Sequence, residues 1–162
     1  MRWLVTTLGA LLATAFVALA ALGGSLYWDR FEVRAEQSAR DVLGPLAKNQ
    51  VPAVLGYDFQ TVERTLTDAY AMLTPHYRVA FEQKAQKQII PEAREKQLVS
   101  QISVVGVGVI DAHRNSGSVM VYVNRTVSYK TNRNEPIFDG ARIRVDYLRI
   151  DGKWLIDGIT VI

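Results

Sequence analysis

Few side chains in this sequence have the type and spacing needed for acid–base chemistry. The chain contains two histidines and no cysteine, so thiol catalysis is excluded. Asp111 and His113 lie two residues apart at the end of a predicted strand, where a carboxylate could orient an imidazole as a general base. A solvated turn explains this pair equally well, and His76, beside Pro75 in the first turn of a predicted helix, is expected to be exposed. We therefore predict no catalytic residue, and a membrane-tethered acid–base enzyme is the alternative.

Another carboxylate lies among arginines in the last third of the chain. Asp146 alternates with the apolar residues of its predicted strand and has Arg142, Arg144 and Arg149 as neighbours. Isomerase-like acid–base chemistry would need a carboxyl group held in an apolar pocket, whereas this position faces away from the predicted core. The pattern indicates a charged strip on the solvated face of a sheet. The alternative is a functional one, in which the strip is a docking surface for an acidic partner or for lipid head groups.

Motifs for nucleotides, metals and nucleic acids are weak. Gly106-Val-Gly108 has no third glycine and no following helix, both of which a nucleotide-binding loop would need. Asn124-Arg-Thr126 matches a glycosylation acceptor but lies inside a predicted strand. The sequence shows no cluster with metal-ligand spacing, and a formal net charge of +3 is too small to indicate nucleic-acid binding. We predict no cofactor, no metal and no nucleic-acid partner.

Helical periodicity in the middle of the chain predicts the elements that would position these residues. Asp58 precedes one helical stretch, and we interpret it as the N-cap, with Tyr57 packing beside it. Thr74-Pro75 predicts a second helix start, and Pro91 is expected to interrupt that helix. The apolar faces of the two helices comprise Phe59, Val62, Leu66, Ala69, Tyr70 and Leu73, then Tyr77, Ala80, Phe81, Ala85 and Ile89.

The last part of the chain has the two-residue period of β-strands. Predicted strands cover 102–110, 119–124, 142–147 and 153–162, and Gly106 and Gly108 mark a bend or bulge in the first of them. Asp151-Gly152 is the strongest hairpin signal. Helices followed by a meander of strands predict an α+β fold with helices on one face of a curved antiparallel sheet.

The first 28 residues contain one charged side chain, Arg2. The stretch from Trp3 to Trp28 would extend about 39 Å as a helix, which exceeds the ~30 Å hydrocarbon core of a bilayer. We predict a transmembrane anchor over 1–28 in the cell (inner) membrane, with a cytoplasmic N-terminus and an extracytoplasmic domain. A signal peptide cleaved at Ala18-Leu19-Ala20 is the alternative.

The predicted anchor has two different faces, with leucines on one side of the helix and small residues on the other. Small residues allow transmembrane helices to approach closely and to form hydrogen bonds with one another. We therefore expect this face to dock against integral membrane partners. The predicted partner-binding residues are Thr6, Ala10, Thr14, Ala18, Ala21 and Ser25.

A connecting segment over 29–56 follows the anchor. Helical spacing continues to Leu43, and Gly44-Pro45 is expected to end that helix, because proline disfavours helical conformation at the preceding residue. Residues 48–56 are predicted to form a connection to the folded domain.

Four short motifs follow the predicted anchor in a fixed order. They are Leu55-Gly-Tyr-Asp-Phe-Gln-Thr-Val-Glu63, Ala69-Tyr-Ala-Met-Leu-Thr-Pro-His-Tyr77, Val123-Asn-Arg-Thr126 and Asp151-Gly-Lys-Trp-Leu-Ile156. This order resembles the Mce-associated membrane proteins of actinobacteria. The resemblance implies an NTF2-like extracytoplasmic domain over 57–162, in which helices wrap a cone of curved sheet.

The resemblance also implies a function and partners. Such proteins accompany Mce-type importers of fatty acids or sterols as non-enzymatic accessory subunits, so the expected partners are permease and Mce subunits and the lipid bilayer. A cone that binds a small apolar ligand without reacting is a further alternative, because strands rich in valine and isoleucine suit a pocket as well as a filled core.

Overall fold

The computed structural model describes residues 33–130 and 135–162, together with Leu19. The predicted anchor over 1–28 lies outside the described residues, apart from Leu19, and so do its docking residues Thr6, Ala10, Thr14, Ala18, Ala21 and Ser25. Among the helices of the described residues, none combines the length and the apolar character that a membrane crossing requires.

Residues 33–55 form one long helix, α1. The prediction that Gly44-Pro45 ends this helix is wrong, and residues 48–55 are helical rather than a linker. Pro45 is exposed, and an interior proline costs a helix about 3 kcal/mol. Burial of an apolar stripe that continues on both sides of the proline outweighs this cost. The stripe consists of Ala39, Leu43, Ala47, Val51 and Val54.

A two-residue strand, β1 (Tyr57–Asp58), follows α1, and the next helix begins only at Val62. Helix α2 (Val62–Tyr70) has Thr61 at its N-cap position, so the interpretation of Asp58 as the cap is wrong. The Asp58 carboxylate instead accepts a hydrogen bond from the Gln60 backbone N–H at 2.8 Å. Tyr57 pairs with Ser100 in the sheet, so the chain is extended at this point. The hydrogen bond from Gln60 to Asp58 forms a turn, and the helix begins after that turn.

Helices α3 (Pro75–Lys84) and α4 (Ile90–Lys96) are joined by the π-helical segment Ala85–Ile89. The helical segment from Pro75 to Lys96 is therefore continuous. The prediction that Pro91 interrupts it is wrong. Proline lacks the N–H of an α-helical hydrogen bond, and the wider π turn directly before it relieves the resulting mismatch. Gln97, in the left-handed conformation with φ 48°, ends α4.

The strands form one antiparallel sheet in the order β1-β2-β3-β4-β5. The long strands are β2 (Val99–Ala112), β3 (Ser116–Ser128), β4 (Ile137–Ile150) and β5 (Lys153–Val161). The predicted meander is confirmed, although the first three of its strands are longer than expected and β1 was not predicted. Asp151 and Gly152 both have positive φ, 49° and 79°, as a tight two-residue hairpin turn requires.

Two bulges bend strand β2, because its pairing with β3 skips Val105 and Ile110. The first bulge adjoins Gly106, where the sequence predicted a bend. The helices cover one face of the sheet, which places Val119, Val121, Val123, Ile143, Val145, Tyr147 and Ile156 in the core. The predicted α+β class, with helices packed on a curved antiparallel sheet, is thereby confirmed.

Candidate functional site

An apolar cleft of about 250 Å³ opens between the end of α1, helix α3 and the sheet. Among the described residues that line it, Lys84 is the only charged one, and none carries a carboxyl group. Leu55 belongs to α1, Ala80 and Phe81 belong to α3, and Ile159 belongs to β5. The lining therefore combines apolar walls with a single cation.

Thr74 fixes the position of α3, which forms one wall of the cleft. Its hydroxyl accepts a hydrogen bond from the Tyr77 backbone N–H at 3.2 Å, so the predicted N-cap is confirmed. The same hydroxyl donates to the Asp157 carboxylate of β5 at 2.7 Å, a link that the sequence did not reveal. Thr74 is only 1% exposed, and its N–H donates to the Ile156 carbonyl. The start of α3 is thus tied to β5 by both backbone and side chain.

Aromatic packing holds the rest of this wall. The Phe81 ring lies edge-on to Tyr70, with centroids 6.2 Å apart and planes at 82°, and 6.1 Å from the ring of Tyr77. The Arg78 guanidinium lies 5.3 Å from the centre of the Tyr70 ring. Aromatic pairs of this geometry contribute about 0.5–1.5 kcal/mol beyond area burial, so Phe81 is held at a fixed place in the cleft wall.

Two tyrosines supply the cleft with phenol groups. Burial raises the pKa of Tyr77, and a backbone hydrogen bond at Ile159 lowers that pKa in part. Burial, followed by the nearby Glu92 carboxylate, raises the pKa of Tyr57. Both phenols are therefore neutral at physiological pH, and Lys84 carries the only charge among the described lining residues.

The π-helical segment changes which side chains reach the cleft. Lys84 and Ile89 are five residues apart, and at about 100° per residue they would lie on different sides of a regular α-helix. Hydrogen bonds from i to i+5 widen the turn and bring such positions together. Both residues line the cleft. Lys84 itself ends the regular helix α3 and follows Phe81, Ala80 and Tyr77 by three, four and seven residues, so ordinary α-helical periodicity already places it on the cleft side. The π-helical segment that follows adds only Ile89.

The predicted Asp111–His113 pair lies at an exposed place outside the cleft lining. His113 Nε2 is 3.8 Å from Asp111 Oδ2, and His113 Nδ1 is 3.5 Å from Glu36 Oε1 of α1. Both separations exceed the 2.6–3.2 Å of a working base and its partner, and the His113 side chain is 61% exposed. No local pattern pointed to Glu36, which reaches this site through the packing of α1. His76 is exposed in α3, as predicted.

Asp146 forms a small polar network on the sheet face opposite the helices. It accepts hydrogen bonds from Ser118 Oγ at 2.6 Å and from Arg144 Nε at 2.8 Å. Arg144 also donates to Ser118 Oγ at 3.2 Å. Arg149 stands apart, with its guanidinium 5.9 Å from the centre of the Trp154 ring. The outward direction of Asp146 is as predicted, and of the arginines of the predicted charged strip Arg144 is the one that these hydrogen bonds join to it.

The remaining motifs lie in regular structure. Gly106-Val-Gly108 is part of β2, and Asn124 lies in β3 opposite Gly140. Within the residues described, no three acidic or histidine side chains lie close enough to hold a metal ion.

Comparison with known sequences identifies a mycobacterial relative. No protein-family profile matches the chain. The chain is 28% identical over 156 residues to a protein of Mycobacterium tuberculosis (strain H37Rv) named outer membrane protein Rv1973, and the alignment covers 96% of both chains.

Solved structures with a similar fold include two proteins of type IV secretion systems. An IcmL-like type IV secretion system protein from Legionella pneumophila has a TM-score of 0.65 at 9% identity, over 76% of this chain and 91% of its own. The periplasmic domain of DotI has a TM-score of 0.61 at 14% identity, over 75% and 93%. CagV, a VirB8 homolog from Helicobacter pylori, has a TM-score of 0.59 at 7% identity, over 75% and 96%. At these identities the likeness shows the fold alone, an α+β fold with NTF2-like neighbours.

Proposed function

We propose that this protein is a membrane-anchored, non-enzymatic accessory subunit of a complex in the cell envelope. The observation that carries the proposal is the shared fold, which covers more than nine-tenths of the DotI periplasmic domain and of CagV. The DotI domain is periplasmic, and CagV is a VirB8 homolog of a type IV secretion system. The predicted N-terminal anchor would place the described domain outside the cytoplasm in the same way.

The chemistry of the cleft supports a non-enzymatic role. Acid–base enzymes with an NTF2-like cone usually place a carboxyl or imidazole group inside an apolar pocket. The described lining has two neutral phenols and one lysine, while Asp111, His113 and Glu36 lie elsewhere and the His113 side chain is 61% exposed. This arrangement favours binding over turnover.

The finer proposal is that the complex is an Mce-type lipid importer and that the small-residue face of the anchor docks against its permease and Mce subunits. The order of the sequence motifs supports this partner. The proposed location is the cell (inner) membrane, with the N-terminus in the cytoplasm. Because the relative Rv1973 carries the name outer membrane protein, separation of inner and outer membrane fractions is part of the test.

Affinity purification from native membranes, followed by mass spectrometry, tests the proposal. The double variant Ala10→Ile and Thr14→Ile places bulky side chains on the small-residue face. The double variant Leu8→Ile and Leu12→Ile is the matched control on the opposite face. We expect the first pair to lose its membrane partners and the second pair to keep them. Equal recovery from both would refute docking through this face.

Two other results would change the proposal at different levels. If the purification recovered subunits of a secretion apparatus and no Mce subunits, the assignment to a lipid importer would be wrong. The accessory role would still hold. Recovery of the chain from the culture medium, trimmed after Ala20, would refute the anchor and the accessory role together.

A further inference from the structure

We propose that the apolar cleft reversibly binds a single-chain carboxylate amphiphile of about ten non-hydrogen atoms, with the chain in the cleft and the carboxylate at Lys84. Three features of the cleft support this proposal: its volume, its lining residues and the single charge among its described lining residues. It does not depend on docking of the anchor, because binding and co-purification are separate measurements.

The volume of the cleft limits the size of the ligand. An apolar cavity of about 150 Å³ holds one benzene ring, which has six carbon atoms, so a volume of about 250 Å³ corresponds to roughly ten non-hydrogen atoms. Typical pockets for larger ligands measure about 300–1,000 Å³. The cleft can therefore take one short acyl chain, whereas two acyl chains or a four-ring system would not fit.

The lining chemistry selects the two ends of the ligand. Walls formed by side chains such as Ala80, Phe81 and Ile159 remove methylene groups from water, which strengthens binding roughly fourfold for each group. Lys84 has no ion pair with any described residue, so its charge is available to a ligand. No carboxylate of the described lining competes for that charge.

The end of α3 and the π-helical segment together give the cleft its amphiphilic character. Lys84, the last residue of α3, lies one helical turn after the apolar Ala80 and Phe81, and the π-helical segment adds the apolar Ile89 to the same wall. Lys87 lies in the same segment, is exposed and is not part of the lining. One lysine thus lies at the cleft and a second, chemically identical lysine lies one turn away, which provides a matched control.

The test measures saturable binding of octanoate to the full chain in nanodiscs of zwitterionic lipid, with empty nanodiscs as background. Lys84→Met removes the charge and keeps an unbranched side chain. We expect it to weaken octanoate binding about fivefold, the effect of one partly exposed ion pair, and to leave octanol binding unchanged. Lys87→Met should change neither. Ala80→Leu, which adds side-chain volume to the cleft, should weaken both ligands more than about tenfold.

Several outcomes would overturn the assignment. Binding no greater than that of empty nanodiscs would remove the site, and equal octanoate affinity in the two lysine variants would remove the role of Lys84. Unchanged binding to Ala80→Leu would place the ligand outside the cleft. If anionic phospholipid in the nanodiscs abolished octanoate binding to the unmodified chain, the occupant would be a bilayer lipid and not a free carboxylate.

Discussion

Replacement of Thr74 by valine tests whether the hydroxyl that joins α3 to β5 stabilises the described domain. Valine keeps the branched shape of threonine and replaces its hydroxyl group with a methyl group. The hydroxyl accepts the Tyr77 N–H and donates to the Asp157 carboxylate, and Thr74 is 1% exposed. The half-buried Asp157 carboxylate can regain part of its hydration when the hydroxyl is lost, so the expected cost lies in the lower part of the range for such a hydrogen bond.

The expected magnitude follows from these two hydrogen bonds. Loss of a threonine N-cap costs about 1 kcal/mol, and loss of a hydrogen bond to a carboxylate costs about 1.5–3 kcal/mol. We expect Thr74→Val to lower the free energy of unfolding by about 3 kcal/mol. Thr74→Ser keeps both hydrogen bonds and loses one methyl group, so it should cost about 1 kcal/mol.

The Tm values of Thr74→Val, Thr74→Ser and the unmodified chain are compared by circular dichroism of the chain in nanodiscs. For a domain of this size, 3 kcal/mol corresponds to a fall in Tm of about 10 °C. Combination of Thr74→Val with Asp157→Ala should cost less than the sum of the single changes, by about 1–2 kcal/mol. Equal Tm values for the valine and serine variants, or additive costs in the double variant, would refute the reasoning.

Four further predictions concern two tyrosine hydroxyls, a pair of glycines and the pH dependence of stability. The Tyr147 hydroxyl is buried without a hydrogen-bond partner among the described residues, so Tyr147→Phe should raise the free energy of unfolding by about 1–2 kcal/mol in denaturant titrations. Tyr77→Phe, which removes a bonded hydroxyl, should lower it by about 1 kcal/mol. A Cβ at Gly117 would overlap the Leu43 side chain, so Gly117→Ala should destabilise by about 1–3 kcal/mol, whereas Gly44→Ala, in a helix with open space around it, should stabilise by about 0.5–1 kcal/mol. Burial raises the pKa of Tyr77 and of Tyr147 above the ordinary tyrosine value of 10.0, so their contribution to stability is complete below pH 10 and is lost as the pH rises through the folded-state pKa values. Absorbance titration should show phenolate formation at higher pH in the folded chain than in the unfolded chain, and coincident curves would contradict this prediction.

The sequence predicted the elements whose signals are local. Asp151-Gly152 specifies its own turn, and Thr74-Pro75 specifies its own helix start, so both predictions were correct. The end of α1 was mispredicted at Gly44-Pro45 because a local propensity was weighed without its tertiary context. Ala39 and Val51 lie on either side of the proline, and their burial against the sheet keeps the helix intact. Strand β1 has two residues, too few for any alternation to be visible.

The cleft could not be predicted, because the same residues serve equally well as core and as cavity lining. Phe81 belongs to an apolar helical stripe, and Ile143 alternates along a strand. Neither pattern states whether the space between the two elements is filled. That space depends on the separation of α3 from the sheet, which the link from Thr74 to Asp157 sets at one end. It also depends on a π turn whose only sequence signal is Pro91, a residue that indicates a helix break as readily as a widened turn. The spacing of Lys84 from Ala80 and Phe81 indicates its side of the helix, but the cleft that it borders exists only in the assembled domain.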